Sequence, residues 1–310
     1  MGVLYIVSAE EAVGKTAICA GIAINLVNAG KKVGYLKPQA ADKGMADGDI
    51  AFMRKTLGLA DIVNAPDIIQ GRDVVLVEAR LGQKASDPAS KDAYGAAKEM
   101  KAKVIAVESY TPDFKDVKYA ELYKGFGESF LGVVINKAPQ SLLKKAKDAA
   151  AASTVKILGV ISENRILLAI TVAELAESIN GKIIYKAENA GELVENFMLG
   201  AMTPDSGVLY FQRKKNKAAV IRQERADMQL AALETPTAAL VLAGGNQPPI
   251  YNVINKADKK GVPIKITESN INDIVTNIEN ALAKSRLNQE KKLAKLGEIV
   301  KQNLDMKVFG

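Results

Sequence analysis

Histidine is absent from the 310 residues of this chain, and Cys19 is its single cysteine. The first absence removes His-dependent catalytic triads, H-E-x-x-H zinc sites and histidine ligation of metals. The second excludes an internal disulfide and fits a reducing, cytoplasmic setting, with Cys19 read as a packed thiol on an apolar helix. No apolar run approaches the ~20 residues of a membrane helix, so a membrane is not an expected partner. The N-terminus lacks a basic start and a small-residue cleavage site, and it reads as a strand rather than a signal peptide. Aromatic residues make up only 5% of the chain, and no stacking motif lies among its basic residues. Nucleic acid is therefore not expected either, despite a net charge of +7, because much of that excess sits in the stretch 284–310, read as a solvated basic helix. What chemistry there is must run on lysines, carboxylates, hydroxyls and backbone.

What the chain does have is an organising first stretch, MGVLYIVSAEEAVGKT. A buried apolar run breaks into a small-residue loop, then Gly14-Lys15-Thr16, and a helical pattern follows at once. Strand, tight loop and helix make a phosphate cradle, in which the N–H groups from Gly14 to Ala17 face an anion. Lys15 reaches the terminal phosphates, and the Thr16 hydroxyl can hold Mg²⁺. The strict pattern needs glycine at position 9, where this chain has Ala9, and Glu10 and Glu11 would repel a triphosphate unless they turn outward or meet a metal. The plainer reading is a strand-to-helix turn whose lysine is merely solvated.

The rest alternates. Apolar runs at 3–7, 33–37, 73–78, 103–107, 131–136 and 156–161 predict strands buried on both faces. Helical patterns fall at 15–29, 48–57, 90–100, 115–128, 141–151 and 168–180. This is the pattern of a doubly wound, mainly parallel α/β domain spanning 1–180, whose ligands bind beyond the carboxyl ends of its strands. A second, smaller α/β domain is expected over 182–285. Its strands are placed at 182–186, 218–221, 238–242 and 263–267, its helices at 189–200, 205–213, 226–234, 249–260 and 270–283. A charged helix, 286–310, follows with Leu293, Leu296, Val300 and Leu304 on one stripe, to pack on its parent domain or pair with a second subunit.

Candidate residues cluster at strand ends. Lys37, where strand two meets Pro38, offers a second anion anchor. Asp47 and Asp49 precede a helix, where capping is the first expectation and Mg²⁺ coordination the second. Glu78 closes a buried strand, the position from which an acid can hold Mg²⁺ directly or through water. Asn136 ends another and could pair with a base edge, with the stem of Lys137 along the ring. In the second domain Arg225, Asp227, Gly244 and Gly245 suggest a binding or regulatory surface, because no nucleophile–base pair can be assembled there.

Those residues carry a resemblance. The loop ending Val13-Gly14-Lys15-Thr16, Gly-Tyr-x-Lys-Pro, Asp49, Glu78, Gly-Val-Val-Ile-Asn-Lys and Leu158-Gly159-Val160-Ile161 resemble the dethiobiotin synthetase-like P-loop family, which includes cobyrinic acid a,c-diamide synthases. Gln223 to Asp227, Ala231-Ala232-Leu233 and Gly244-Gly245-Asn246-Gln247-Pro248 resemble a DRTGG domain. Together, in this order, they are similar to the N-terminal, non-catalytic half of long phosphate acetyltransferases, and the stretch after 285 is too short for the acetyltransferase domain. The resemblance implies ATP and Mg²⁺ as cofactors, with Lys15 and Thr16 on phosphates and metal, Asp49 and Glu78 completing the metal shell, Lys37 facing the substrate or γ-phosphate, and Asn136 the adenine. Two departures weigh against synthetase turnover: Ser8-Ala9-Glu10-Glu11 stands for Gly-Thr-Asp-Thr, and Ala79-Arg80-Leu81-Gly82 for Gly-Ala-Gly-Gly. The first functional expectation is an adenine-nucleotide-binding regulatory protein forming a homo-oligomer. The alternatives are a Mg-dependent NTPase or ATP-dependent ligase that activates a small carboxylate, with Lys15 and Lys37 catalytic, and an oligomeric interaction protein with a decayed nucleotide site.

Overall fold

The computed structural model describes residues 2–37, 48–58, 70–112, 116–201, 204–283 and 289–309, with backbone alone at 48, 49, 116, 117, 204 and 205. The chain forms two compact units, Met1–Glu163 with Leu287–Gly310, and Asn164–Arg286.

In the first unit the short β-branched runs form β1 (Gly2–Val7), β2 (Val33–Leu36), β3 (Val74–Glu78), β4 (Lys103–Ser109), β5 (Phe130–Ala138) and β6 (Ile157–Ser162). They make one sheet in the order β2-β3-β1-β4-β5-β6, and every pairing in it is parallel. Parallel neighbours need crossover connections, and these are α1 (Lys15–Asn28), α2 (Gly48–Leu57), α3 (Pro88–Glu99), α4 (Asp116–Tyr123) and α5 (Leu143–Ala151). Alternation along the strands sends Tyr5, Val7, Val75, Val77, Val104 and Ala106 to the face covered by α3, α4 and α5. Leu4, Ile6, Leu76 and Ile105 are equally buried on the other face, where α1 packs. Because β1 lies between β3 and β4, the carboxyl ends of all three open on one edge of the sheet, with Ile6 beside Glu78 and Val7 beside Ala106. That edge is where open α/β sheets place ligands.

The second unit begins with the short helix α6 (Arg165–Leu168) and holds β7 (Ile170–Thr171), α7 (Val172–Ser178), β8 (Lys182–Tyr185), β9 (Leu193–Val194), β10 (Asn196–Leu199), α8 (Pro204–Phe211), β11 (Lys217–Arg222), α9 (Ala226–Leu233), β12 (Thr237–Ala243), α10 (Tyr251–Lys260), β13 (Ile264–Thr267) and α11 (Ile271–Ala283). Its sheet runs β10-β11-β12-β13-β8, parallel except for the antiparallel edge strand β8. Two expectations change here. In place of the helix expected over 189–200 stand two strands, β9 paired with β7 and β10 with β11: Val194, Asn196 and Met198 are buried at alternate positions, a period of two that the apolar content had masked. The helix expected over 168–180 is broken by β7 and restarts at Thr171, whose side chain accepts from the Glu174 N–H while Glu174 returns the bond, a capping box. Its residues Val172, Leu175 and Ile179 share a core with Val220, Val241 and Ile274, so the stretch from 164 packs in the second unit rather than the first.

The terminal stripe is satisfied within the first unit. Leu296 and Val300 of α12 (Leu293–Asn303) are buried, and a Cβ on Gly21 would lie 2.3 Å from Val300, so only glycine allows α1 and α12 this close. Asn25 stitches the contact, its Nδ2 donating to both Gly21 O and Gly297 O at 2.8 Å.

Two lysines of the second unit, Lys217 and Lys265, are wholly buried. Lys217 Nζ donates to Thr235 Oγ1 and Pro236 O at 2.8 Å and to Lys214 O at 3.1 Å, and Lys265 Nζ to Val172 O. These acceptors are neutral, and burial pulls Lys217 down to about 8 and Lys265 to about 7. The folded state therefore sheds these protons before the unfolded state does, so stability rises with pH from about 7 toward the ordinary lysine range. Urea unfolding followed by circular dichroism is expected to show wild type gaining on the order of 1–2 kcal/mol more than Lys265→Met between pH 7 and 9.

Candidate functional site

The carboxyl end of β1 leads into the loop Ser8–Gly14, and the direction of its peptide groups is set by side chains. Ser8 Oγ donates to Glu10 O at 2.7 Å and Gln83 Nε2 to Ala9 O at 2.9 Å. Lys137 Nζ donates to Ala12 O at 2.6 Å, and Asn136 Nδ2 to Val13 O at 2.9 Å. Four side-chain donors thus hold the carbonyls of Ala9, Glu10, Ala12 and Val13, and an anion nest is built where loop carbonyls are paired and successive N–H groups are left for a ligand. Ala12 and Lys137, joined by one of these bonds, both take positive φ, 55° and 60°, and such backbone costs about 1–3 kcal/mol each where side chains are present. At the N-cap of α1, Gly14 has φ 91° and brings no capping side chain, so the first turn, Lys15 to Ala17, is not capped from there. The helix start adds its positive dipole end to the nest.

Lys15, Thr16 and Glu78 come together at this loop, with Lys37 coupled electrostatically to Glu78 and Lys15. Lys15 Nζ donates to Ser8 Oγ at 2.5 Å. Thr16 Oγ1 lies 3.1 Å from each carboxylate oxygen of Glu78, and the Tyr35 hydroxyl donates to Glu78 Oε2 at 2.8 Å. Glu78 is 5% exposed. Burial raises its pKa, while Tyr35, Lys37, Lys15 and Thr16 act in the opposite sense. Burial likewise lowers the pKa of Lys15, against the attraction of Glu78 and Glu108. A hydroxyl and a carboxylate oxygen this close are hard donors suited to Mg²⁺, which takes one or two protein oxygens and completes its shell with water and phosphate. Among the described residues no cluster of three or more acidic or cysteine side chains could hold a metal without such help.

Other expected residues are placed differently. Asp49 belongs to α2, but its side chain, like Pro38 and Asp47, lies outside the described residues. Asn136 spends its amide N–H on the loop, and Lys137 reaches the loop as well. Arg225 and Asp227 pair with each other at 2.9 Å through an Arg225 Nη2 to Asp227 Oδ2 bond. That bond lowers the Asp227 pKa and raises that of Arg225. The N–H groups of Gly244 and Gly245 both bond to Thr267 O, at 3.0 and 3.2 Å. The four second-unit candidates thus lie at the carboxyl ends of β11 and β12, each already bonded within the unit.

Tyr35, Glu108 and Arg80 are among the residues at the first site that the sequence did not single out. Tyr35 shares the face of β2 with Lys37 by simple alternation, which is the signal that could have found it. Glu108, 2% exposed near the end of β4, accepts from the Tyr123 hydroxyl. Burial raises its pKa, and the Ala9 N–H bonds to it. An acid closing an apolar strand was the available clue, the same one that singled out Glu78. Arg80 pairs with Glu11, which no local pattern announces.

A Cβ on Gly14 would meet Asn136 Nδ2 at 2.4 Å in a backbone conformation that disfavours side chains. Gly14→Ala is expected to lower stability by about 1–3 kcal/mol in denaturant unfolding, with the loss reduced in Gly14→Ala/Asn136→Ala, where the clashing amide is gone.

Known structures similar to this chain include MinD cell division protein from Aquifex aeolicus, at 18% identity over 54% of this chain and 84% of that one, TM-score 0.39. A septum site-determining protein MinD complexed with Mg-ADP from Pyrococcus horikoshii matches at 16% identity over 54% and 83%, TM-score 0.34. The CBS and DRTGG domains of the regulatory region of a Clostridium perfringens pyrophosphatase, complexed with diadenosine tetraphosphate, match at 14% identity over 47% and 71%, TM-score 0.33. No helix among the described residues is long and apolar enough to cross a membrane. The DRTGG domain family model matches residues 174–281, inside the second compact unit, and the chain therefore carries a DRTGG domain.

Proposed function

We propose that this chain is an adenine-nucleotide-binding regulatory protein, in which the phosphate loop takes Mg-ATP and the DRTGG domain serves as a sensing unit. The observation that carries this reading is the convergence of Lys15, Thr16 and Glu78 on a loop whose carbonyls are paired with side-chain donors. Lys15 leaves Ser8 for a terminal phosphate, and the N–H groups of the loop and of α1 take the rest of the chain of phosphates. Thr16 and Glu78 hold Mg²⁺, which when bound screens phosphate charge. Lys37, coupled electrostatically to Glu78 and Lys15, supplies a further positive charge at the γ end. Asn136, with its Nδ2 on Val13 O, reads the base through its amide oxygen, an acceptor suited to the exocyclic amine of adenine and mismatched to the O6 of guanine. The two-unit order supports placing the chain beside the non-catalytic N-terminal half of long phosphate acetyltransferases, as a cytoplasmic nucleotide-binding protein.

The test is a calorimetric titration of Mg-ATP into wild type, Lys15→Ala and Glu78→Gln. Wild type is expected to bind, Lys15→Ala to bind about 10–100-fold more weakly, and Glu78→Gln to lose its preference for Mg-ATP over metal-free ATP. Binding of GTP as tight as ATP would contradict the role given to Asn136. Phosphate release above background would add turnover to the reading, and no binding by wild type would remove it.

A further inference from the structure

Two acids stand in the phosphate loop, where an anion is to be bound, and the structure turns both outward onto cations from other elements. Glu11 pairs with Arg80, in the segment that follows β3. Glu10 pairs with Lys118 of α4 at 3.1 Å. The backbone beneath them is held independently: Ser8 Oγ takes Glu10 O, and Gln83, from the same segment as Arg80, takes Ala9 O. The two features that read separately as obstacles to nucleotide binding, acids in the loop and an arginine-bearing turn after Glu78, are therefore partners of one another.

We propose that Arg80 and Lys118 are positioning residues of the phosphate loop, which draw Glu11 and Glu10 away from the nest and cancel their charge so that a nucleoside polyphosphate can be accepted. This inference rests on the nucleotide reading above. All four side chains are substantially exposed, so each pair contributes little to folding. Their effect lies in the field felt by an incoming anion. Two unscreened carboxylates beside a multiply charged ligand weaken binding by about tenfold at low salt, and the penalty fades as the Debye length shrinks. Neutral glutamines at the two acid positions would relieve it.

The experiment measures Mg-ATP affinity by calorimetry at about 20 mM and about 300 mM salt for wild type, R80Q/K118Q and E10Q/E11Q/R80Q/K118Q, with melting temperatures as a check on folding. At low salt R80Q/K118Q is expected to lose about tenfold in affinity, at high salt less than half of that on a logarithmic scale, and the fourfold variant to return to within about threefold of wild type. Wild-type binding with R80Q/K118Q unchanged would overturn this inference and leave the nucleotide reading standing. A fourfold variant as weak as R80Q/K118Q would also overturn it, because the two bases would then be touching phosphate rather than neutralising the loop. Failure of wild type to bind would overturn the nucleotide reading and this inference with it.

Discussion

A carboxylate taken out of water at the end of β3 is the constraint on which the first unit's site depends. An ionised group buried to the extent of Glu78 is costly unless hydrogen bonds and opposite charges surround it. Its partners come from separate parts of the chain: Tyr35 from β2, Thr16 from the first turn of α1, and the charges of Lys15 and Lys37. Satisfying Glu78 therefore fixes where β2 lies across β3 and how α1 enters the sheet. The same arrangement stores a cluster of hard oxygens next to an anion nest. Structural need and the proposed metal chemistry coincide at this residue.

The loop above it obeys a complementary logic. The proposed phosphate site needs N–H groups left for an anion, which is favoured when the loop's carbonyls are paired elsewhere. Ser8, Gln83, Asn136 and Lys137 supply the donors, and β1, β3 and β5 bring those donors to one edge. Glu108, on the opposite face of the sheet from Glu78, anchors the loop's beginning through the Ala9 N–H. The second unit is built differently. Its residues at the carboxyl ends of the strands bond among themselves, and its most costly features are Lys217 and Lys265, buried cations held by neutral oxygens.

Much of this was legible in the sequence, for identifiable reasons. The parallel sheet shows because strands buried on both faces are apolar without alternation, and the turn from β1 into α1 because strand, small residues and Gly-Lys-Thr are contiguous. Glu78 shows because an acid closes an apolar strand. Glu108 carries the same signal in weaker form, since Ser109 follows it and extends the strand. What could not be read is what depends on distance in space. The pairing of Glu11 with Arg80 and of Glu10 with Lys118 joins residues 69 and 108 apart in sequence. The two strands at 193–199 were hidden because these short segments are flanked by glycine and lack a long run. The docking of α12 on α1 was only half visible: the apolar stripe could be seen, but not that Gly21 and Gly297 open the groove to receive it.

The loop between β1 and α1 is proposed as a nucleotide site, and hydrogen–deuterium exchange resolved by peptide tests this most directly. On adding Mg-ATP near the wild-type dissociation constant, slowed exchange is expected in the peptides covering residues 8–17, 74–80 and 134–138, and the same addition to Lys15→Ala, which binds more weakly, should leave them close to unchanged. Exchange in those segments that ignores Mg-ATP in wild type, or slows equally in Lys15→Ala, would contradict the claim.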